Sequence, residues 1–371
     1  MLAVWLSYTS VRAAARSPTK GNNLHDSIPG RVCAVASGVG FVCITSAKDE
    51  MMEYVTLGKT GLRVSVAGLG CGGNSRLGLG RGKTEAEAIV LVRQALDLGL
   101  NLLDTVAAYD TEALIGKAIK PVPRDRVIIT TKALINRGST PIPPVRVVES
   151  LERSLRQLNT DYIDVLQLHV VPPAMYDHAF QTIAPVLLRE KEKGKFRALG
   201  ITETSPNDHE QRMLQRALHD AVWDVVMLGF NMMHHNARTQ IFPHTIAYNI
   251  GTLLMFVVRN IFSQPGRLTA KMQELAATGQ VPQWLADTDN PLGFLIHEGG
   301  ASSVTDAAYR FVRHEPGVHV TLFGTSEPEH LRANIASLLK PPLPEADRQQ
   351  LAALFGHLLG VGLELPDPTT A

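Results

Sequence analysis

Eight short apolar runs, most of them followed by a stretch of helical periodicity, limit this chain to a parallel sheet covered by helices. The runs are "VSVAGLG" (64 to 70), "LNLLD" (100 to 104), "RVIITT" (126 to 131), "YIDVLQLH" (162 to 169), "FRALGI" (196 to 201), "WDVVMLGF" (223 to 230), "GTLLMFVV" (251 to 258) and "VHVTLFG" (318 to 324). Parallel strands need long crossovers, and the intervening segments supply them. In "TEAEAIVLVRQALDLGL", Thr84 and Glu87 have capping-box spacing and Ile89, Val92 and Leu96 recur at helical intervals. Val148, Leu151, Leu155 and Leu158 form a second such stripe, "SSVTDAAYRFVRHE" (302 to 315) reads as a capped helix, and Ser326 with Glu329 predicts another capping box. Eight units in about 290 residues fit a closed (β/α)8 TIM barrel, with an open doubly wound sheet as the alternative.

The segment before the first run, "YVTLGKTGLRVS", reads as a hairpin around Gly58 to Gly61, placed at the barrel base. Residues 1 to 50 differ in character. Arg12, Arg16 and Lys20 precede the first acid, Asp26, among many Ala and Ser, a composition similar to a mitochondrial presequence. The plainer reading is a poorly packed extension ahead of Met51 or Met52, without which function survives. The expected organisation is therefore an extension over 1–50, a barrel over 51–345 and a C-terminal tail over 346–371. "KMQELAATGQ" predicts an extra helix in the long connection from Asn260 to about Pro291.

Composition narrows the partners. Lys and Arg number 36 against 35 Asp and Glu, a net charge of +1, so no global field favours nucleic acid or an anionic membrane over a small metabolite. Cys33, Cys43 and Cys71 have no CxxC spacing and fit a reducing compartment, which makes the cytoplasm the expected location and the mitochondrion the alternative. "GLGRGKT" (78 to 84) lacks the leading glycine of a phosphate loop, Leu77 standing in its place. No HxH or HExxH spacing begins a metal site, and His297 reads as structural or substrate-facing.

In a barrel the polar residues at strand C-termini converge on one mouth. Asp104, Lys132 and His169 each end a different strand, and Tyr109 follows in the loop after Asp104. Each has a plain role: helix cap, solvated strand end, core histidine, half-buried aromatic. Together they suit carbonyl reduction. An ammonium beside the phenol favours phenolate, a carboxylate holds that ammonium, and an imidazole orients the carbonyl oxygen.

The stretches "YVTLGKTGLRVSVAGLGCGG", "NLLDTVAAY", "VIITTK", "DYIDVLQLH" and "LFGTSEPEHLRANI", in this order, resemble the aldo-keto reductases from about Tyr54 to Leu339. The resemblance implies a (β/α) barrel using a nicotinamide cofactor without metal, and a catalytic tetrad of Asp104, Tyr109, Lys132 and His169 with Tyr109 as proton donor. It implies cofactor contacts from Thr202 and Glu203, where relatives have Ser-Asn, and from Asn231, where they have Gln. Phe256 is the implied stacking aromatic. Gly324, Thr325, Ser326, His330 and Asn334 are the implied adenosine-end positions, with NADP expected and NAD the alternative. Relatives read "YG" where this chain has Tyr109-Asp110, and the loop is one residue shorter. The implied activity is hydride exchange with a small aldehyde, ketone or sugar; the competing reading is a cofactor-binding regulatory subunit with little turnover, and a metal hydrolase stands further off.

Overall fold

The computed structural model describes residues 51–363 apart from 74, 75 and 265. The reading of residues 1–50, with Cys33 and Cys43, lies outside the described residues. Eight parallel strands close into a barrel. They are β1 (Ala67–Gly70), β2 (Leu102–Asp104), β3 (Ile128–Leu134), β4 (Ile163–His169), β5 (Phe196–Thr202), β6 (Val225–Gly229), β7 (Gly251–Met255) and β8 (Val320–Phe323). Each strand pairs with its sequence neighbours and β8 pairs back onto β1 through Thr321 and Ala67. All eight apolar runs become barrel strands.

Two shells of apolar side chains follow from the period of two along each strand. Leu102, Ile128, Val165, Ala198, Val225, Leu253 and Val320 pack together inside the ring. Leu103, Ile129, Leu166 and Leu199 join the larger cluster shared with the helices. The bottom is closed by the antiparallel pair Tyr54–Thr56 and Arg63–Ser65, whose Leu57, Leu62 and Val64 belong to the inner cluster. Gly58 packs so tightly on the backbone of Gly251 that a β-carbon there has no room, and its φ of +50° favours glycine as well.

The Thr84–Glu87 capping box forms, opening the helix Glu85–Asp97. Ser303 caps Val304–Arg313 through the Asp306 N–H. The Ser326–Glu329 box does not form: Glu327 precedes the helix Pro328–Leu339 without a side-chain cap, and Thr325 Oγ1 takes the Glu327 N–H instead. The extra helix is Arg267–Ala277. From residue 345 to 363 the chain is packed: Glu345–Phe355 is helical, and Leu351, Phe355 and Leu363 are buried. His297 reaches Asp347 on that helix at 3.1 Å, the structural one of its two readings. No helix among the described residues is long and apolar enough to cross a membrane.

Candidate active site

The same alternation that fills the barrel aims its last polar side chains into the mouth. Asp104 lies two residues beyond the inner Leu102, Lys132 four beyond Ile128, His169 four beyond Val165 and Thr202 four beyond Ala198. Even offsets keep all four on the inward face. Strand register brings β2, β3 and β4 side by side, pairing Asp104 with Thr130 and Lys132 with Gln167.

Lys132 Nζ donates to Asp104 Oδ1 at 2.6 Å and to the Thr105 carbonyl at 2.9 Å. Both side chains are withdrawn from water, at 3% and 10% exposure. Burial pushes the Asp104 carboxyl up while the Lys132 ammonium draws it down. His169 is driven down to about 3 by burial, with the Lys132 charge adding to it, so its ring is neutral. Its Nδ1 is buried without a partner. The turn after it is held by Thr202, whose hydroxyl accepts the Val170 N–H at 2.6 Å, and Val170 adopts φ +47°. Left-handed backbone at a β-branched residue is strained, and strain of this kind gathers at functional sites.

Tyr109 ends a tight turn, Ala107–Tyr109, tied down by the Thr105–Thr111 hydroxyl pair at 2.8 Å. Asp110 takes φ +57°, which explains how an aspartate serves where relatives use glycine: its short polar side chain tolerates the left-handed region. The Tyr109 ring packs against Gly72, and a β-carbon at that glycine would overlap the ring atoms. Gly72 is absent from the left-handed residues, so alanine strains no backbone there. Gly72→Ala is therefore expected to leave the fold intact and swing the phenol aside, lowering kcat by about tenfold to a hundredfold; steady-state kinetics beside a thermal melt check this.

The Tyr109 phenol departs from expectation. Burial and the Asp104 charge push it up to about 12, and the cation that pulls it down is Arg259, not Lys132. Lys132 directs its bonds to Asp104 and Thr105. Arg259 was not singled out by sequence. It follows β7, sits 4.8 Å over the Phe256 ring and lines the mouth. The signal was its place, four residues past the end of an apolar strand.

Asp104, Tyr109, Lys132 and His169 open into one cleft of about 710 Å³ that also takes in Thr202, Glu203, Phe256, Gly324, Thr325, Ser326, His330 and Asn334. Phe256, at φ +61°, is turned into it by a left-handed backbone. Asn231 is the exception. It lies fully buried outside the lining, donating to the Val361 carbonyl at 3.1 Å and accepting the Met233 N–H at 2.8 Å, so it anchors the C-terminal segment instead of facing the mouth. The loop of "GLGRGKT" also contributes: Arg81 lines the cleft and Lys83 bonds the Ser326 carbonyl at 2.6 Å and Glu327 at 2.8 Å.

The donor set suits a dinucleotide. The uncapped start of Pro328–Leu339 offers free N–H groups to phosphate. At the other end, His169 Nδ1 and Glu203 Oε2 are buried polar atoms without partners.

Comparison with known proteins agrees with this architecture. The profile described as "Aldo/keto reductase family" matches residues 68–355. The chain is 28% identical to aldo-keto reductase YhdN of Bacillus subtilis over 344 residues, 86% of this chain and 99% of that protein. It is 36% identical over 157 residues to the L-galactose dehydrogenase of Arabidopsis thaliana, 41% of this chain and 48% of that enzyme. The solved holo form of aldo-keto reductase AKR11C1 from Bacillus halodurans shares the fold with a TM-score of 0.61 at 21% identity, covering 82% of this chain and 96% of that one.

Proposed function

The chain belongs to the aldo/keto reductase family and is an oxidoreductase, and from that premise we propose that it exchanges hydride between NADP(H) and a small aldehyde, ketone or sugar, with Tyr109 as the acid or base. The observation that carries the reading is the buried 2.6 Å Lys132–Asp104 pair at the floor of a cleft also lined by Tyr109 and a neutral His169. When bound, the nicotinamide supplies or accepts the hydride. Thr202, Glu203 and Phe256 would hold its nicotinamide half, and Gly324, Thr325, Ser326, His330 and Asn334 its adenosine half. NAD(H) is the competing nucleotide, because His330 offers weaker charge selection than an arginine against an extra phosphate.

Tyr109 holds its proton across the neutral range and gives it to the carbonyl oxygen as negative charge develops there. A neutral His169 positions that oxygen by a hydrogen bond that strengthens in the same step. Lys132 keeps a positive field under the developing alkoxide, and Asp104 keeps the ammonium charged and aimed.

A pH profile follows from the raised phenol. Its acid form is fully present below its pKa, so carbonyl reduction is expected to be flat from about pH 6 to about pH 9. Alcohol oxidation needs the base form and is expected to climb by up to about tenfold per unit over the same range. Initial rates in both directions check the pair of slopes.

We assign residues 1–50 no catalytic role. Oxidation of NADPH and NADH with an activated aromatic aldehyde, run on the full chain and on one beginning at Met51, is expected to give equal turnover. Nucleotide binding without turnover across a wide carbonyl panel would favour a regulatory subunit.

A further inference from the structure

Directly after β5, Glu203 is fully buried in the cleft lining, and its two oxygens are unequal. Oε1 accepts the Ser205 hydroxyl and the Gly229 N–H, each at 2.6 Å. Oε2 has no partner and no access to water. A buried carboxyl oxygen left without a donor is costly, and it is relieved either by carrying the proton or by meeting a polar or charged group of a ligand.

Among the described residues no cation is bonded to Glu203; Arg259, beyond β7, lines the same cleft but lies over the Phe256 ring. Asp208, in the loop that follows Glu203, is of like charge and is occupied by the N–H groups of Arg212 and Met213. Gln211, which also donates to the Gly229 carbonyl, is neutral. On the side of β4 and β3, His169 is neutral and Lys132 is bonded to Asp104. Burial accordingly pushes Glu203 up to about 7, against hydrogen bonding from Ser205, Gly229 and the neutral Gln211 amide and with the Asp208 charge adding to it. The carboxyl thus changes charge near neutral pH.

Position gives that charge something to act on. Glu203 follows the residue whose hydroxyl holds the turn after His169. The ring that exchanges hydride with a carbonyl held between Tyr109 and His169 would enter the cleft that Glu203, itself withdrawn from water, lines. It is positive when oxidised and neutral when reduced, and a charge interaction in such surroundings is far stronger than in water.

We propose that Glu203, through Oε2, selects the redox form of the bound nicotinamide: ionised, it favours the oxidised, positive ring, and protonated, it donates a hydrogen bond that favours the reduced, neutral one. The inference rests on the nicotinamide reading of the cleft. By linkage, binding of the oxidised form releases a proton from Glu203 and binding of the reduced form takes one up.

The test is calorimetric titration of the full chain with NADP+ and with NADPH between about pH 6 and about pH 8. Taking the ratio of the two dissociation constants cancels the titration of groups that meet both forms alike, the nucleotide phosphate among them. In the wild type, Kd for NADPH relative to that for NADP+ is expected to rise about tenfold over this range, and buffers of different ionisation heat should register about half a proton released per NADP+ bound near pH 7. Glu203→Gln keeps the size and the Oε1 acceptor, and its ratio is expected to be flat with no proton exchanged. A flat wild-type ratio, or a variant with the wild-type slope, overturns the proposal while leaving hydride transfer standing. Failure of the folded wild type to bind either nucleotide overturns both. Should the variant not fold, the wild-type ratio and proton count decide alone.

Discussion

Tyr109→Phe is expected to lower turnover by at least about a hundredfold in both directions while nucleotide affinity changes by less than about twofold. The ring still packs against Gly72, so the substitution deletes only the hydroxyl, and with it the proton proposed to move. The neighbouring groups cannot replace it. His169 is driven down to about 3 and carries no acidic proton to give, and Lys132 is tied to Asp104 and the Thr105 carbonyl at the cleft floor. A loss in kcat with Kd for NADPH unchanged is the pattern of an interaction made in the transition state alone. Single-turnover kinetics beside equilibrium titration separate the two, and a variant turning over at the wild-type rate would remove Tyr109 from the mechanism.

The barrel and three of the four groups at its mouth were legible for one reason, with Tyr109 in the turn beyond. In β2, β3 and β4 a polar residue stands an even number of positions beyond an inward apolar one, so the period of two that buries Leu102, Ile128 and Val165 also aims Asp104, Lys132 and His169. What lies beyond strand ends was less legible, because no period governs a turn. Asn231 follows Gly229 by two residues and was implied as a cofactor contact by the family resemblance alone, but its amide is claimed by Val361, 130 positions away. The packed helix after residue 345 and the Arg259–Phe256 contact depend on long-range placement of the same kind.

Charge was harder to read than position. The pairing of an amine with an acid was visible, and from it a phenol lowered by Lys132 was inferred. Satisfying the ammonium's hydrogen bonds directs Lys132 toward Asp104 and Thr105, which leaves burial to dominate Tyr109 and Arg259 as the opposing cation. Glu203 shows the converse: a residue that departs from the family pattern at one position acquires, through burial, a titration that composition cannot reveal.

Lys132→Met separates chemistry from packing at this pair. Turnover is expected to fall at least about a hundredfold, and stability by about 3–5 kcal/mol, because Asp104 is left buried with its charge uncompensated. The deficit has a pH sign. Without the ammonium the folded-state pKa of Asp104 lies well above its unfolded value, so the folded variant binds the extra proton and its stability falls as pH rises from the unfolded pKa toward the folded one. The loss should therefore be smaller near pH 5 than near pH 8, as read from urea midpoints at both. Adding Asp104→Asn removes the stranded carboxylate and should restore most of the stability with no return of turnover, since a neutral pair places no field beneath the carbonyl oxygen. If the single variant melts like the wild type at both pH values, the pair contributes nothing to the fold. If the double variant regains turnover along with stability, then the charge of Lys132 is not what the reaction uses.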